Sequence, residues 1–254
     1  MSKLKEAFLN GKTLAPFITC GDPNLQATAA SIREAVKSGA KLIVLGIPFS
    51  DPTAEAPLLQ EASIRALKGG VNTDKVFAFM KELRETVSVP VVFVTYANVV
   101  FSYGVDRFME NCDKSGVNGL MIPDLPYEER GDFLPECKKC GIELVTQLAL
   151  NSDNRIEMIA KDAGEMICLT AKIAAGSTFD EALTKLKETI ERIRKASGAP
   201  CLIDFDLDDA DQVRKVVGLA DGILISSAIV RLQAKYGDEA SKYIGECVEA
   251  LSKA

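Results

Sequence analysis

The chain contains no histidine among its 254 residues. Histidine is the side chain that most often changes charge near neutral pH, and it is also the commonest protein ligand for transition metals. Its absence removes the commonest general base and every imidazole metal ligand. Carboxylates, lysine and thiols are left as candidates for chemistry.

Long apolar runs and an excess of basic charge are also missing. No apolar run approaches the roughly 18 residues that a membrane span needs. The first twelve residues, MSKLKEAFLNGK, read as a short amphipathic helix without the apolar centre of a signal peptide. A net charge of −6 and a pI near 5.0 disfavour nucleic acid and anionic membranes as partners. We expect neither partner.

Seven cysteines are scattered along the chain without a disulfide framework. An odd, dispersed set favours reduced thiols and hence a cytoplasmic location. Cys137 and Cys140 form a C-x-x-C pair late in a predicted helix, but the chain offers neither a second pair nor a histidine. We therefore expect no metal site and no cofactor.

Short β-branched runs alternate with helix-period segments from one end of the chain to the other. Eight strands are predicted, each followed by a helical segment, at 13–19, 41–46, 90–96, 119–123, 143–148, 166–170, 200–206 and 222–226. A doubly wound sheet would more often use five or six strands. This order predicts a single-domain α/β protein, a (β/α)8 TIM barrel over residues 1–254, with its active site at the C-terminal strand ends.

Several loop motifs resemble one known family. The run PFSDP at 48–52, followed by Ala54, Pro57 and Gln60, resembles the second βα loop of the tryptophan synthase alpha chain family. Four other segments resemble that family in order and spacing: FITCGDP (17–23), TYANVVFSYG (95–104), PDLPYEE (123–129) and SSAIV (226–230). The resemblance implies the barrel fold and a lyase that splits indole-3-glycerol phosphate into indole and glyceraldehyde 3-phosphate. It also implies contact with a beta chain through the loop of Pro48 and Asp51.

The catalytic positions depart from that family. Val44 stands on the second strand where the family has its proton-transferring acid, and we expect it to pack inside the barrel. Glu55 occupies the position of the family's second acid. It is a candidate to accept a proton, and a solvated loop acid is the alternative.

The phosphate-binding positions depart as well. Asp204-Phe205-Asp206 replaces a glycine-rich run at the end of the seventh predicted strand, and Ser226 replaces a glycine. Ser227 is retained and predicts a helix N-cap that could donate to phosphate. Each carboxylate would repel a phosphate dianion by roughly 1–4 kcal/mol. These positions disfavour a phosphorylated substrate.

Three kinds of chemistry remain open at these strand ends. Asp204 and Asp206 share one face of a strand, so they could act as a base in the barrel mouth or lie solvated at its rim. Lys172 could form a Schiff base or be an ordinary solvated lysine. The two aspartates with Glu55 could bind Mg²⁺ or Ca²⁺, although the run lacks the glycine and terminal glutamate of a calcium loop.

The sequence therefore predicts a remodelled lyase or proton-abstraction pocket, of the Kemp eliminase or retro-aldolase type, that takes an unphosphorylated apolar or aromatic substrate. Little turnover of indole-3-glycerol phosphate is expected. Two alternatives stay open: a non-catalytic barrel that binds the beta chain, and an authentic indole-3-glycerol-phosphate lyase. The predicted catalytic residues are Asp204, Asp206, Lys172 and Glu55. The predicted substrate-binding residues are Phe17, Val44, Tyr96, Met121, Gln147, Phe205, Ser226 and Ser227.

Overall fold

Parallel strands alternate with helices along the chain and close into a barrel. The computed structural model describes residues 2–172, 176–205 and 210–253. Its strands are β1 (Thr13–Thr19), β2 (Ile43–Gly46), β3 (Val91–Val94), β4 (Gly119–Met121), β5 (Glu143–Leu144), β6 (Thr146–Ala149), β7 (Ile167–Ala171), β8 (Cys201–Phe205) and β9 (Gly222–Ile225). The predicted α/β barrel is confirmed.

The fifth predicted strand, 143–148, consists of two parts. β5 pairs with β4, and β6 pairs with β7, so the segment that contains both closes the barrel. Val145 lies between the two parts, and its N–H still donates to the carbonyl of Leu120 at 2.9 Å. In the described part of the chain no ladder joins β4 to β6. The hydrogen-bonded ladder therefore stops before the C-terminal ends of these two strands.

Twelve α-helices are described, and four of them begin at the side-chain caps Ser2, Asn24, Asn72 and Thr178. Short 3-10 helices cover Tyr127–Asp132, Asp153–Arg155 and Gly237–Glu239. The α-helices are α1 (Lys3–Glu6), α2 (Leu25–Lys37), α3 (Pro57–Lys68), α4 (Thr73–Leu83), α5 (Ala97–Tyr103), α6 (Val105–Lys114), α7 (Leu134–Lys139), α8 (Ile156–Lys161), α9 (Phe179–Ala196), α10 (Ala210–Val217), α11 (Ser227–Tyr236) and α12 (Ala240–Ser252).

Alternate strand residues face two separate apolar layers. The outer layer lies between the strands and the helices, while the inner layer fills the barrel. Leu4 of α1 is buried and joins the inner layer, so this short helix closes one end of the barrel. The inner layer contains Ala15, Phe17, Leu42, Val44, Val92, Met121, Val145, Cys168, Leu202 and Leu224.

Two general features bear on the sequence predictions. None of the described helices is long and apolar enough to cross a membrane. All seven cysteines lie in described residues and are free. Burial raises the pKa of the Cys137 thiol to about 12, which keeps it protonated and poorly nucleophilic at neutral pH.

Candidate functional site

A cavity of about 430 Å³ opens at the C-terminal ends of the strands. This is the end at which barrels of this kind carry their sites. Apolar residues form most of its floor, and a few charged and polar groups converge on it. The cavity is lined by Phe17, Leu59, Val94, Met121, Leu125, Tyr127, Ile159, Leu224 and other apolar residues, and by the polar residues Glu55, Gln147, Ser152, Arg155, Thr170, Lys172, Asp204, Ser226 and Ser227.

Glu55 is the carboxyl group that the fold perturbs most clearly in this cavity. It lies in the loop between β2 and α3 and is partly buried. Burial raises its pKa from the ordinary value of 4.5 to about 7, because a charged carboxylate is poorly solvated there. Near neutral pH the group is therefore populated in both forms, which suits a proton carrier.

The backbone around Glu55 is held by two neighbours. The Ala54 N–H donates to the Tyr96 hydroxyl oxygen at 3.1 Å, and Lys172 Nζ donates to the Ala54 carbonyl at 3.3 Å. The Tyr96 ring packs on Phe49 with ring centroids 5.1 Å apart. Burial, and then the nearby charge of Glu55, raise the pKa of Tyr96. Tyr96 thus stays neutral and supports the loop that carries the acid.

Val44 lies wholly inside the barrel. It is 0% exposed and sits in register between Phe17 of β1 and Val92 of β3. The prediction that Val44 packs the interior is confirmed. It is absent from the cavity lining, so it is a floor residue beneath the site and the prediction of substrate contact is not supported.

Asp204 lines the cavity from β8. It pairs in register with Thr170 of β7 and Leu224 of β9, both of which also line the cavity. Its charge contributes, after burial, to raising the pKa of Cys168 on the neighbouring strand. Asp204 therefore faces the barrel mouth, as the strand alternation predicted. Asp206 lies outside the described residues.

The first turn of α11 also faces the cavity. Ser226 is the N-cap residue, but its side chain makes no capping hydrogen bond, and Ser227 is the first helical residue. The prediction of Ser227 as the N-cap is therefore wrong by one residue, because the helix starts earlier than the retained serine suggested. Both serines line the cavity, so free N–H groups of this helix end are available to an anion.

Phe205 and Pro48 do not face where the sequence predicted. The Phe205 side chain belongs to the outer apolar layer and stacks on Phe179 of α9 at 5.9 Å, because it alternates with the inward Asp204. It does not line the cavity. Pro48 is buried within the chain, whereas Asp51 is exposed, so only Asp51 offers surface to a partner chain.

An ion pair between a buried carboxylate and a partly exposed arginine lies near the site and was not predicted from the sequence. Asp22, in the loop after β1, is fully buried and accepts two hydrogen bonds from Arg65 of α3, at 2.8 and 2.9 Å. Its backbone carbonyl accepts from Gln233 of α11 at 2.9 Å. The pair ties three elements together at the C-terminal end of the barrel. The separation of 43 residues between Asp22 and Arg65 hides it from local pattern reading.

Comparison with known proteins bears on the whole chain. The family model "Tryptophan synthase alpha chain" matches residues 1–253. The alpha chain of Lacticaseibacillus casei is 40% identical over 94% of this chain and 90% of its own length. That of Petrotoga mobilis is 36% identical over 97% and 96%. The chain belongs to the tryptophan synthase alpha chain family.

Solved structures of this family share the fold. The alpha subunit of Legionella pneumophila superposes with a TM-score of 0.89 at 26% identity, covering 100% of this chain and 98% of that one. A chain of the tryptophan synthase α2β2 complex of Pyrococcus furiosus gives a TM-score of 0.86 at 30% identity, over 96% and 99%. The resemblance read from the loop motifs is confirmed.

This membership overturns two predictions. A pocket remodelled for an unphosphorylated substrate, and poor activity on indole-3-glycerol phosphate, were both inferred from a few strand-end positions. Relatives at 32–40% identity over nearly the full length support the family's lyase reaction instead. The inference considered the negative charge of Asp204 alone. Lys172, Arg155 and the start of α11 line the same cavity and offset that charge.

Proposed function

We propose that this chain cleaves indole-3-glycerol phosphate to indole and glyceraldehyde 3-phosphate, the lyase reaction of its family. The full-length family match supports the substrate. The observation that carries the chemistry is Glu55, a cavity carboxyl whose pKa is raised to about 7 by burial. It can both give and take a proton near neutral pH.

The cleavage needs no net gain or loss of protons. One proton must reach the indole carbon that bears the glycerol chain, because this turns the ring into an iminium whose nitrogen takes up electrons as the carbon–carbon bond breaks and the ring double bond re-forms. One proton must leave the adjacent hydroxyl group as its oxygen becomes the aldehyde oxygen. A single carboxyl group with a pKa near neutrality can donate the first proton and take up the second. Glu55 serves both steps in this proposal, so the valine at position 44 does not stop the reaction.

The cavity walls suit the two ends of this substrate. Phe17, Met121 and Leu224 give the apolar surface that a flat indole ring needs. Ser226 and Ser227 present the start of α11 to the phosphate, and helix N-termini favour anions. Lys172 lies on the same cavity as a further positive charge, and its role here is charge compensation.

The test compares three proteins in a single-turnover assay of indole release. The parent and Glu61→Gln, an exposed glutamate on α3, should release indole at equal rates. Glu55→Gln keeps the shape of the side chain but cannot exchange the proton, so its rate should fall by roughly 10²-fold or more. Equal rates for Glu55→Gln and the parent would refute the assignment of Glu55.

A second candidate function is that of a non-catalytic partner of the beta chain, and Val44 is the observation that favours it. A chain kept only to bind a partner needs no acid on β2. The exposed Asp51 loop would form part of such an interface, and the relative from Pyrococcus furiosus is described in a mutually activating α2β2 complex. Absence of indole release by the chain, alone or mixed with a beta chain that it activates, would favour this function over the lyase.

We further propose a cytoplasmic location. The seven free cysteines, two of them as close in sequence as Cys137 and Cys140, support a reducing compartment. Alkylation of the protein unfolded directly in a thiol trap on extraction would test it, since every cysteine is then accessible and oxidised thiols would contradict the proposal.

A further inference from the structure

A smaller cavity of about 20 Å³ adjoins the main one, close to the C-terminal ends of β4 and β6, where no ladder joins the two strands among the described residues. Leu125, Tyr127, Gln147 and Ile159 line both cavities, so the small one continues the large one. A space of this size holds one water molecule or one oxygen atom. It is too small for a carboxylate or a phosphate group.

Arg130 forms the far wall of the small cavity. The residue is 9% exposed, and its guanidinium offers five N–H donors. It makes two hydrogen bonds, both long: 3.3 Å to Thr146 Oγ1 and 3.3 Å to Asp162 Oδ2. Its Nε is buried without a hydrogen-bond partner among the described residues. The Tyr127 ring stacks under the guanidinium at 4.7 Å. A buried cation with so few acceptors leaves donors to spare.

Gln147 lines both cavities, and Arg130 lines only the smaller one. The Gln147 side chain makes no hydrogen bond with any described residue. Its amide atoms are not among the buried atoms that lack a partner, so they are accessible from the cavity and can hydrogen-bond to a ligand. Together the two side chains offer an acceptor and several donors around a space for one oxygen atom.

We propose that Gln147 and Arg130 form a subsite for a hydroxyl group on the aromatic ring of the ligand. The hydroxyl oxygen accepts a hydrogen bond from the Arg130 guanidinium, and the hydroxyl group donates one to the Gln147 amide oxygen. Both side chains then gain a hydrogen-bond partner. The chain would then prefer a ring-hydroxylated indole over indole itself. The inference rests on the proposed function, because it takes the ring of the substrate to lie in the main cavity.

Ligand binding tests the subsite without any turnover. The chain contains no tryptophan, so the fluorescence of bound indole or of the 4-, 5-, 6- and 7-hydroxyindoles can be followed directly. At least one hydroxyindole should bind roughly tenfold more tightly than indole, equivalent to about 1.4 kcal/mol. Indole-5-carboxylate and indole-6-carboxylate should gain nothing over indole, since the space is too small for them.

Two variants localise the effect. Gln147→Leu keeps the volume and removes the polar group, and Arg130→Met removes the cation; each should abolish the preference for hydroxyindole while indole still binds. If Arg130→Met does not fold, Gln147→Leu alone still tests the subsite. Equal binding of indole and every hydroxyindole overturns the subsite and leaves the lyase proposal standing. Failure of all the indoles to bind overturns both, because the ring site itself would then be absent.

Discussion

Glu55 should make the stability of the protein depend on pH in a way that its replacement removes. The folded chain raises the pKa of this group from 4.5 to about 7. Below the unfolded value the group is neutral in both states and costs nothing. As the pH rises from about 4.5 to about 7, the unfolded chain releases a proton that the folded chain still holds, so the folded state loses stability, and the loss is complete above pH 7. The shift corresponds to about 3 kcal/mol at 1.36 kcal/mol per pKa unit.

The free energy of unfolding of Glu55→Gln, taken relative to that of the parent, should therefore be about 3 kcal/mol larger at about pH 8 than at about pH 4.5. For a chain of this length the melting temperature of the variant should rise relative to the parent by about 6–12 °C over that range. Thermal unfolding followed by circular dichroism at both pH values measures it, with Glu61→Gln as the exposed control. A variant-minus-parent difference that is the same at both pH values would refute the claim that burial perturbs Glu55.

Three other changes test the surroundings of the site. Arg65→Met should lower the free energy of unfolding by about 3 kcal/mol, because it leaves the buried Asp22 carboxylate unpaired. The control Lys114→Met breaks an exposed ion pair and should lower it by about 0.5 kcal/mol or less. Equal urea midpoints for the two variants would contradict this prediction. Val44→Glu should lower the free energy of unfolding by about 2–4 kcal/mol, because Val44 is buried, and yet raise kcat by supplying a second proton-transferring group. Val44→Gln should only lower the free energy of unfolding. An unchanged kcat in Val44→Glu would count against a reaction limited by proton transfer. Gly46→Ala puts a Cβ 2.6 Å from the Phe17 ring and should cost about 1–3 kcal/mol and raise KM, as unfolding and steady-state kinetics would show.

The barrel could be predicted from the sequence because its signals are local. Strands such as 13–19 and 222–226 alternate with helices that begin at Asn24, Asn72 or Thr178, and these patterns need only short windows. The inward direction of Val44 and Asp204 followed from the two-residue period of a strand. The same period should have warned that Phe205, next to Asp204, points outward.

The site was less predictable because its energetics are not local. The pKa of Glu55 depends on burial by groups far along the chain, which no residue window contains. The ion pair of Asp22 with Arg65 and the under-bonded Arg130 arise in the same way, from contacts between distant elements. The function was misjudged because the lack of an acid at Val44 was treated as decisive, although Glu55 supplies a carboxyl group to the cavity above it.

The pH dependence of kcat for indole-3-glycerol phosphate, at saturating substrate, tests the central claim most directly. If Glu55 must start each turnover protonated, kcat is level at low pH and falls tenfold per unit above the pKa of Glu55 in the substrate complex, which burial holds well above the ordinary 4.5. Saturating substrate removes the ionisation of the free substrate's phosphate, whose second pKa lies near 6, from the profile. The account predicts this fall in the parent and its loss, with most of the rate, in Glu55→Gln. A kcat that rises through pH 7, or the same profile in Glu55→Gln, would contradict it.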